Sequence, residues 1–205
     1  MRYFIAHLLN GQSKAFHERL TRELTLRYHT EPLYERVPPH ITIKAPFDAD
    51  DSGIEDVERV LRAFAHSERA TPYTIQSFGR FGFRTIYLDI VKSPDAVAFV
   101  RRALKTLNEN ISFMPKMPRE GNKLHASVAR FLTRRQYRHV WRHLKPLRPE
   151  FSLSFDNIAI LKKDSGVWKL HAFIPIRDTV EDESEFGYAI PKKERESAEN
   201  AILVS

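Results

Sequence analysis

The sequence repeats one order of predicted elements, and this repetition restricts the chain to a small set of folds. Each half predicts a strand, a helix, a strand, a helix and a strand, and one further strand follows the second half. Corresponding landmarks lie 79 to 81 residues apart: Ser13 and Ser93, Ser52 and Thr133, Tyr73 and Ser152. We therefore expect an α+β fold of two lobes related by a pseudo-two-fold axis, with antiparallel-rich sheets facing a central cleft and helices outside.

Four helices are predicted from apolar residues about 3.6 positions apart, and seven strands from segments rich in β-branched and aromatic residues. Three of the helices begin at a cap: Ser52 with Glu55, Ser93 with Pro94, and Thr133 with Gln136. The remaining helix covers about residues 13–28, and the strands cover residues 3–9, 41–47, 73–81, 85–91, 124–131, 151–161 and 168–176.

The chain is basic and contains no cysteine. It has 205 residues, with 33 Lys and Arg against 26 Asp and Glu, which gives a net charge of +7. The lack of cysteine excludes disulfides, thiolate metal sites and thiol nucleophiles. The charge is uneven, because residues 1–177 carry +12 and residues 178–205 carry −5. We expect residues 1–177 to form the two-lobed domain, residues 178–205 to be an acidic extension, and the basic domain to bind anionic partners.

No segment predicts export or insertion into a membrane. No stretch approaches the roughly 18 to 20 apolar residues that span a bilayer. The apolar run at the N-terminus is too short for a signal peptide, and His7 interrupts it. We expect a cytoplasmic protein without a membrane partner, and the sequence gives no indication of its oligomeric state.

The pattern His-x-Ser/Thr occurs once in each half, at His40-Ile41-Thr42 and at His125-Ala126-Ser127. Both copies fall on the second predicted strand of their half. Because side chains alternate along a strand, the imidazole and the hydroxyl two residues later share a face. If the halves pack about a two-fold axis, two imidazoles and two hydroxyls meet in one cleft. Taken alone, a histidine at a strand end is more often a structural residue of the core or the surface than a catalyst.

Such a cluster suits phosphodiester chemistry. Cleavage through a 2′-hydroxyl, or opening of a 2′,3′-cyclic phosphate, needs one group to take a proton from the nucleophile and another to protonate the leaving oxygen. Imidazole can do both near neutral pH. The hydroxyls can stabilise the negative charge that develops on the phosphate oxygens. This chemistry needs no metal ion or other cofactor.

The two segments around these histidines resemble the paired HxT/S motifs of the two-histidine (2H) phosphoesterase superfamily, which includes bacterial 2′-5′ RNA ligases and cyclic phosphodiesterases. The segments are Pro38-Pro39-His40-Ile41-Thr42-Ile43 and the run from Lys123 to Arg130. The resemblance covers roughly residues 1–177, and the duplicated lobes of that superfamily match the predicted element order.

The resemblance implies a role for each matching residue. His40 and His125 would be the acid/base pair, Thr42 and Ser127 the phosphate ligands, and Arg130 a further substrate-binding residue. The substrate would be an RNA end or a nucleotide 2′,3′-cyclic phosphate, with 2′-5′ ligation as the reverse reaction. This sequence departs from the ligase-like branch at Ala45, where that branch often has an aromatic residue; the nearest aromatic residue here is Phe47.

Two other functions are compatible with the same residues. A binding module for nucleotides or RNA would keep the cleft without meaningful turnover. A pancreatic-ribonuclease-like enzyme also uses two histidines, but the lack of cysteine argues strongly against it.

Several residues outside the motifs are ambiguous from sequence. Lys44 is in phase with His40 and Thr42, and it is compatible with either a cleft position or a solvated one. His139 and His143 have the i, i+4 spacing of a zinc helix, but the glutamate of that motif and a third ligand are missing. The fourth helix carries a basic face that suits an RNA backbone or plain solvation equally well, and Phe78, Phe81 and Phe83 flank a hairpin turn where they could stack a base or join the core.

Overall fold

The computed structural model describes residues 1–91, 93–116 and 123–176, which form eight strands and five helices. The strands are β1 (Arg2–Leu8), β2 (His40–Asp48), β3 (Thr71–Phe81), β4 (Thr85–Ile90), β5 (His125–Ala129), β6 (Glu150–Phe155), β7 (Asn157–Asp164) and β8 (Val167–Pro175). The helices are α1 (Gly11–Tyr28), α2 (Leu33–Arg36), α3 (Asp51–Ser67), α4 (Pro94–Asn110) and α5 (Arg134–Leu144).

The strands form two antiparallel sheets of four strands each. The first sheet has the order β2-β1-β7-β8 and the second has the order β5-β4-β3-β6. The predicted α+β architecture is therefore confirmed. The units β1-α1-β2 and β4-α4-β5 occupy equivalent places, since β1 and β4 are inner strands while β2 and β5 are edge strands. The third strand of the first half, β3, crosses to the second sheet, and β7 of the second half pairs with β1.

The single strand predicted over residues 151–161 is wrong. This segment forms the end of β6 and the beginning of β7, which belong to different sheets, and Asp156 separates them. The Asp156 carboxylate accepts hydrogen bonds from the side-chain amides of Asn10 (2.9 Å) and Asn157 (2.6 Å). The polar pair Asp156-Asn157 separates two strand-like segments, and such a pair is a turn signal that a single strand over residues 151–161 ignores.

The predicted capping box at Ser52 is also wrong. Asp50 is the N-cap of α3, and its Oδ1 atom accepts the hydrogen bond of the Gly53 N–H at 2.8 Å. Ser52 lies in the first turn and its hydroxyl donates to the same oxygen. Aspartate is as good a cap as serine, so the helix begins earlier than the Ser-x-x-Glu pattern indicates.

The other two predicted caps are confirmed. The Ser93 hydroxyl accepts from the N–H of Ala96, with Pro94 in the first turn of α4. At the start of α5, Thr133 and Gln136 form a reciprocal capping box.

One continuous apolar core joins both sheets to the helices. It includes Ile43 of β2, Leu61 of α3, Phe99 of α4 and Val140 of α5, all of which are buried. A smaller cluster on the other side of the first sheet contains Phe4 of β1 and Leu33 of α2. Apolar groups therefore cover both faces of β1, which explains why six of its seven residues are buried.

A buried polar network links the two sheets. The Nε2 atom of His7 in β1 lies 2.9 Å from the Tyr73 hydroxyl in β3, and its Nδ1 atom lies 3.2 Å from the Asn157 carbonyl oxygen. The Asn157 side chain accepts from the Leu8 N–H (2.9 Å) and donates to the Leu8 carbonyl (3.1 Å). Leu8 pairs with His40 in the neighbouring strand, so this network fixes the backbone beside the first motif.

Among the described residues no helix is long and apolar enough to cross a membrane. The predicted acidic extension, residues 178–205, lies outside the described residues.

Candidate active site

The two motif strands lie next to each other where the sheets meet. β2 and β5 are edge strands of different sheets, and they are in contact. In both strands burial alternates as predicted. His40 and Thr42 are half-buried and Ile41 is buried, and the same alternation holds for the second motif, His125 to Ser127. The structure therefore brings the two imidazoles and the two hydroxyls to the same junction.

The two histidines are held in the same way. The Nδ1 atom of His40 lies 2.7 Å from the carbonyl oxygen of Pro38, and that of His125 lies 2.9 Å from the carbonyl oxygen of Lys123. In each case the acceptor is two residues upstream. A carbonyl only accepts, so both Nδ1 atoms carry the proton and both Nε2 atoms keep a lone pair. Within the described part of the chain, neither Nε2 atom has a hydrogen-bond partner, which leaves both available for proton transfer.

An aromatic ring from the adjacent strand supports each imidazole. Phe4 of β1 packs against His40, with ring centroids 5.0 Å apart, and Tyr87 of β4 packs against His125 at 5.1 Å. Both aromatic rings are buried. Since β1 and β4 are equivalent strands, the duplication extends to the packing beneath the two histidines.

Burial shifts the titration of both histidines. It lowers the pKa of His40 to about 3; the hydrogen bond to Pro38 opposes this, while the charges of Arg130 and the other nearby histidines add to it. Burial also lowers the pKa of His125; the hydrogen bond to the Lys123 carbonyl opposes this, the Lys123 charge adds to it and the Asp89 charge opposes it. Without a bound anion, both imidazoles are therefore neutral at pH 7.

Arg130 lies close enough to His40 for its charge to lower the pKa of that imidazole. Strict alternation along β5 predicts the opposite face for it, but β5 ends at Ala129 and Phe131 has a left-handed backbone (φ 54°), so the alternation rule stops before Arg130. Its guanidinium lies 3.6 Å from the Glu31 carboxylate, while its Nε atom is buried without a partner. Part of its hydrogen-bonding capacity thus remains unused.

Sequence reasoning missed His17 of α1. Its Nε2 atom lies 2.8 Å from the carbonyl oxygen of Ser127, and its charge influences the titration of His40. Burial lowers the pKa of His17 to about 4. Helical spacing could have indicated it, since His17 falls between Ser13 and Leu20 on the buried stripe of α1. This histidine ties helix α1 to the second motif.

Two residues that are ambiguous from sequence lie away from the cleft. Lys44 is fully buried, and its ammonium group donates to the carbonyl oxygen of Pro115. A change of register between β1 and β2 next to Lys44 removes it from the phase of Thr42. Phe47 belongs to the core and packs against Tyr3, so it does not take the place of the aromatic residue that Ala45 replaces.

The hairpin turn between β3 and β4 is confirmed, and its aromatic residues differ in exposure. Phe78 is buried, Phe83 is half-buried, and Phe81 is 43% exposed. The ring of Phe81 meets that of His125 edge-on, with centroids 4.9 Å apart. It also packs against Tyr87 at 4.5 Å. Phe81 is therefore an exposed aromatic surface beside the second histidine.

In the part of the chain that the structure describes, no group of three or more His, Asp or Glu side chains is placed to hold a metal ion. His143 of α5 lies 3.0 Å from the Glu23 carboxylate.

Two lobes with one His-x-Thr/Ser motif each, meeting at the junction of two antiparallel sheets, define the class of two-histidine phosphoesterases. The model of the 2′-5′ RNA ligase superfamily matches residues 12–167, so the chain belongs to that superfamily. The predicted family is confirmed.

Relatives and solved structures agree with this assignment. The chain is 24% identical over 155 residues to a Bacillus cytotoxicus protein that is provisionally named a phosphoesterase, a match that covers 71% of this chain and 83% of the relative. A similarly named Geobacillus protein is 25% identical over 141 residues, covering 67% and 78% of the two chains. The crystal structure of TT0787 of Thermus thermophilus has the same fold, with a TM-score of 0.58 and 16% identity over 86% of this chain and 98% of that one.

Proposed function

We propose that this protein is a metal-independent phosphoesterase that acts on RNA ends or nucleotide 2′,3′-cyclic phosphates through its paired histidines, with reversible 2′-5′ RNA ligation as a second activity of the same site. The observation that carries the proposal is the matched state of His40 and His125. Both donate through Nδ1 to a backbone carbonyl, and both keep Nε2 available at the junction of the two motif strands.

We assign the base in the hydrolytic direction to His40. Burial disfavours its protonated form strongly, which suits a group that must be neutral to accept a proton. His125, the second imidazole with an available Nε2 atom, then takes the role of acid. The negative charge of a bound phosphate raises the pKa of a nearby imidazole, so His125 carries its second proton when substrate is bound.

The reaction then balances in one displacement. His40 Nε2 takes a proton from water, whose oxygen forms a new bond to phosphorus. The bond from phosphorus to one ribose oxygen breaks, and His125 Nε2–H donates its proton to that oxygen. In ligation the 5′-hydroxyl of a second strand replaces water as the nucleophile and the two histidines keep these roles. They exchange roles when the 2′-5′ linkage is cleaved back to the cyclic phosphate.

The remaining predicted residues stabilise charge on the phosphate. Thr42 and Ser127 lie two residues after the histidines on the same strand faces, and we assign their hydroxyls as donors to the non-bridging oxygens. Arg130, whose charge already acts on His40, is assigned to neutralise the phosphate group.

The test is hydrolysis of an oligoribonucleotide with a 2′,3′-cyclic phosphate end in the presence of a chelator. We expect His40→Ala and His125→Ala to lower kcat/KM by about 100-fold to 10,000-fold. Thr42→Val and Ser127→Ala should each cost about tenfold. His139→Ala, at an exposed position of α5, is the matched control and should keep full activity.

Two outcomes would contradict the proposal. Binding of the oligonucleotide without turnover by the wild type would favour a binding module. Loss of activity on addition of chelator would exclude the metal-independent mechanism. Ligation is tested by incubating a strand that ends in a 2′,3′-cyclic phosphate with a strand that begins with a 5′-hydroxyl. The readout is formation of a 2′-5′ linkage.

A further inference from the structure

One side of α5 carries two aromatic rings held by an arginine. The rings of Tyr137 and Trp141 are stacked, with 16° between their planes and 6.2 Å between their centroids. The Arg80 guanidinium lies 5.9 Å from the first ring and 5.7 Å from the second, and it donates to the Tyr137 hydroxyl at 2.8 Å. Both rings are half-buried, so the protein orients them while part of each ring stays accessible.

A cavity of about 420 Å³ lies beside Trp141. Its size lies within the range of small-molecule sites, and it combines an aromatic ring with an amide, a hydroxyl and two cations. Its lining residues are Gln76, Ser77, Phe78, Trp141, Lys145 and Arg148.

The cations around this cavity lack acidic partners. Residues 134–148 contain six Arg or Lys residues and no Asp or Glu, and none of the six forms an ion pair with a described carboxylate. The surface cations of α3 and α4 differ, because Arg59, Arg62 and Arg102 pair with Asp56, Glu58 and Glu68. The surface of α5 therefore carries an uncompensated positive potential.

Strand β3 connects this surface to the candidate active site. Arg80 contacts the α5 rings, and the next residue, Phe81, contacts His125. The tip of the β3–β4 hairpin follows these two residues, and there the Phe83 ring lies 5.0 Å from the Arg134 guanidinium. An alternation of aromatic rings and guanidinium groups thus runs from His125 around the hairpin tip to Trp141.

We infer that the Trp141 surface, formed by Arg80, Tyr137, Trp141, Lys145 and Arg148, binds the part of a single-stranded RNA that lies away from its terminal phosphodiester. Stacking rings interleaved with free cations are the combination that single strands require, since every base offers a face for stacking and every linkage a negative charge. The inference rests on the proposed function for the choice of RNA as ligand, and it extends that function from a terminal group to a longer strand.

Direct binding tests the inference without any turnover. A fluorescein-labelled single-stranded oligoribonucleotide of about 12 nucleotides with a 3′-hydroxyl end is titrated by anisotropy at several salt concentrations. We expect Lys145→Ala/Arg148→Ala to raise Kd about tenfold and to lower the slope of log Kd against log salt by about 1.4, which corresponds to two lost phosphate contacts. The control Arg101→Ala/Lys105→Ala removes two exposed cations of α4 and should leave both quantities unchanged.

The aromatic part is tested separately. Trp141→Leu should raise Kd about tenfold, and Trp141→Phe should restore most of the binding, which a variant that merely unfolds would not allow. All these variants should keep the wild-type KM for a mononucleotide 2′,3′-cyclic phosphate within about twofold.

Three results would overturn the inference. The surface variants could bind RNA like the wild type, the α4 control could lose affinity equally, or polyglutamate could displace RNA as well as unlabelled RNA does. Failure of the proposed function gives a different result, namely no turnover of any cyclic phosphate, and the anisotropy measurement still decides whether the surface binds RNA.

Discussion

The Nε2 atom of His17 lies 2.8 Å from the carbonyl oxygen of Ser127, so helix α1 holds the second motif from behind. We predict that His17→Leu lowers kcat/KM about tenfold, because a small displacement of Ser127 and His125 spoils their geometry. His17→Gln, whose side-chain amide can donate to the same carbonyl, should recover most of the activity. Steady-state kinetics with a nucleotide 2′,3′-cyclic phosphate measures both variants. Equal losses for Leu and Gln would contradict the role of this hydrogen bond.

Gly79 leaves room for the ring that supports His125. A Cβ atom at this position would lie 2.3 Å from Cε2 of Tyr87, which is far inside contact distance, and Tyr87 is buried. We predict that Gly79→Ala shifts Tyr87 against His125 and lowers kcat by about tenfold or more. The double variant Gly79→Ala/Tyr87→Leu removes the overlapping ring and should recover stability relative to the single variant. Steady-state kinetics measures kcat, and an unchanged kcat for Gly79→Ala would contradict the prediction.

Asn157 satisfies both backbone groups of Leu8 in a fully buried site. Asn157→Ala leaves a buried N–H and a buried carbonyl without partners, each of which costs about 1–3 kcal/mol. We therefore expect the free energy of unfolding to fall by about 2–5 kcal/mol in chemical denaturation. Asn110→Ala removes an exposed bond to the Thr106 carbonyl and should cost less than about 0.5 kcal/mol. If Asn157→Ala lost as little free energy of unfolding as Asn110→Ala, the two hydrogen bonds from Asn157 to Leu8 would not stabilise the fold.

Two buried histidines predict loss of stability in mild acid. Burial lowers the pKa of His7 and of His17 to about 4, whereas each titrates near 6.5 in the unfolded chain. Between these values the unfolded chain binds more protons, so the free energy of unfolding is constant above about pH 6.5 and falls towards pH 4. The fall is on the order of 3 kcal/mol for each histidine, at about 1.4 kcal/mol per pKa unit.

Denaturation curves at a series of pH values measure this dependence. His7→Gln should reduce the slope between pH 4 and 6.5 by its own share, since His17 and His40 remain, whereas the control His66→Gln, at an exposed position of α3, should leave the slope unchanged. A wild-type curve that is flat over this range would contradict the prediction.

The negative charge of the acidic extension is expected to weaken RNA binding. Residues 178–205 carry −5 against +12 for residues 1–177, so the extension competes with RNA for the basic domain. We expect deletion of residues 178–205 to strengthen RNA binding at low salt, and the gain should vanish at about 1 M salt, where the Debye length is about 3 Å. Unchanged or weaker binding after deletion would exclude the extension as an electrostatic competitor.

Local patterns predicted the parts of this fold that local forces determine. The caps at Ser93 and Thr133, the alternation along β2 and β5, and the two motifs each depend on residues within a few positions of one another. The motifs could be placed on equivalent strands because β1-α1-β2 and β4-α4-β5 repeat both in sequence and in space.

The features that sequence patterns did not predict depend on contacts between residues far apart in the chain. Hydrophobic periodicity does not report such contacts. Asp156 lies between β6 and β7 and pairs with Asn10, 146 positions away in the chain, a contact that no local pattern contains. Lys44 leaves the cleft because its partner is Pro115 and the strand register shifts beside it. Helical spacing places His17 on the buried stripe of α1, but its partner, the Ser127 carbonyl oxygen, is apparent only once α1 packs against β5.

The exchange of strands between the sheets makes the two copies interdependent. β3 belongs to the first half of the chain but pairs with β4 of the second half, and β7 belongs to the second half but pairs with β1 of the first. Neither half of the chain therefore contains a complete sheet. A fragment ending at residue 90 would keep His40 but lose the strand that covers the other edge of β1. Each motif strand therefore belongs to a sheet that needs strands from both halves of the chain, so a half-length fragment cannot build the complete sheet beside its own histidine.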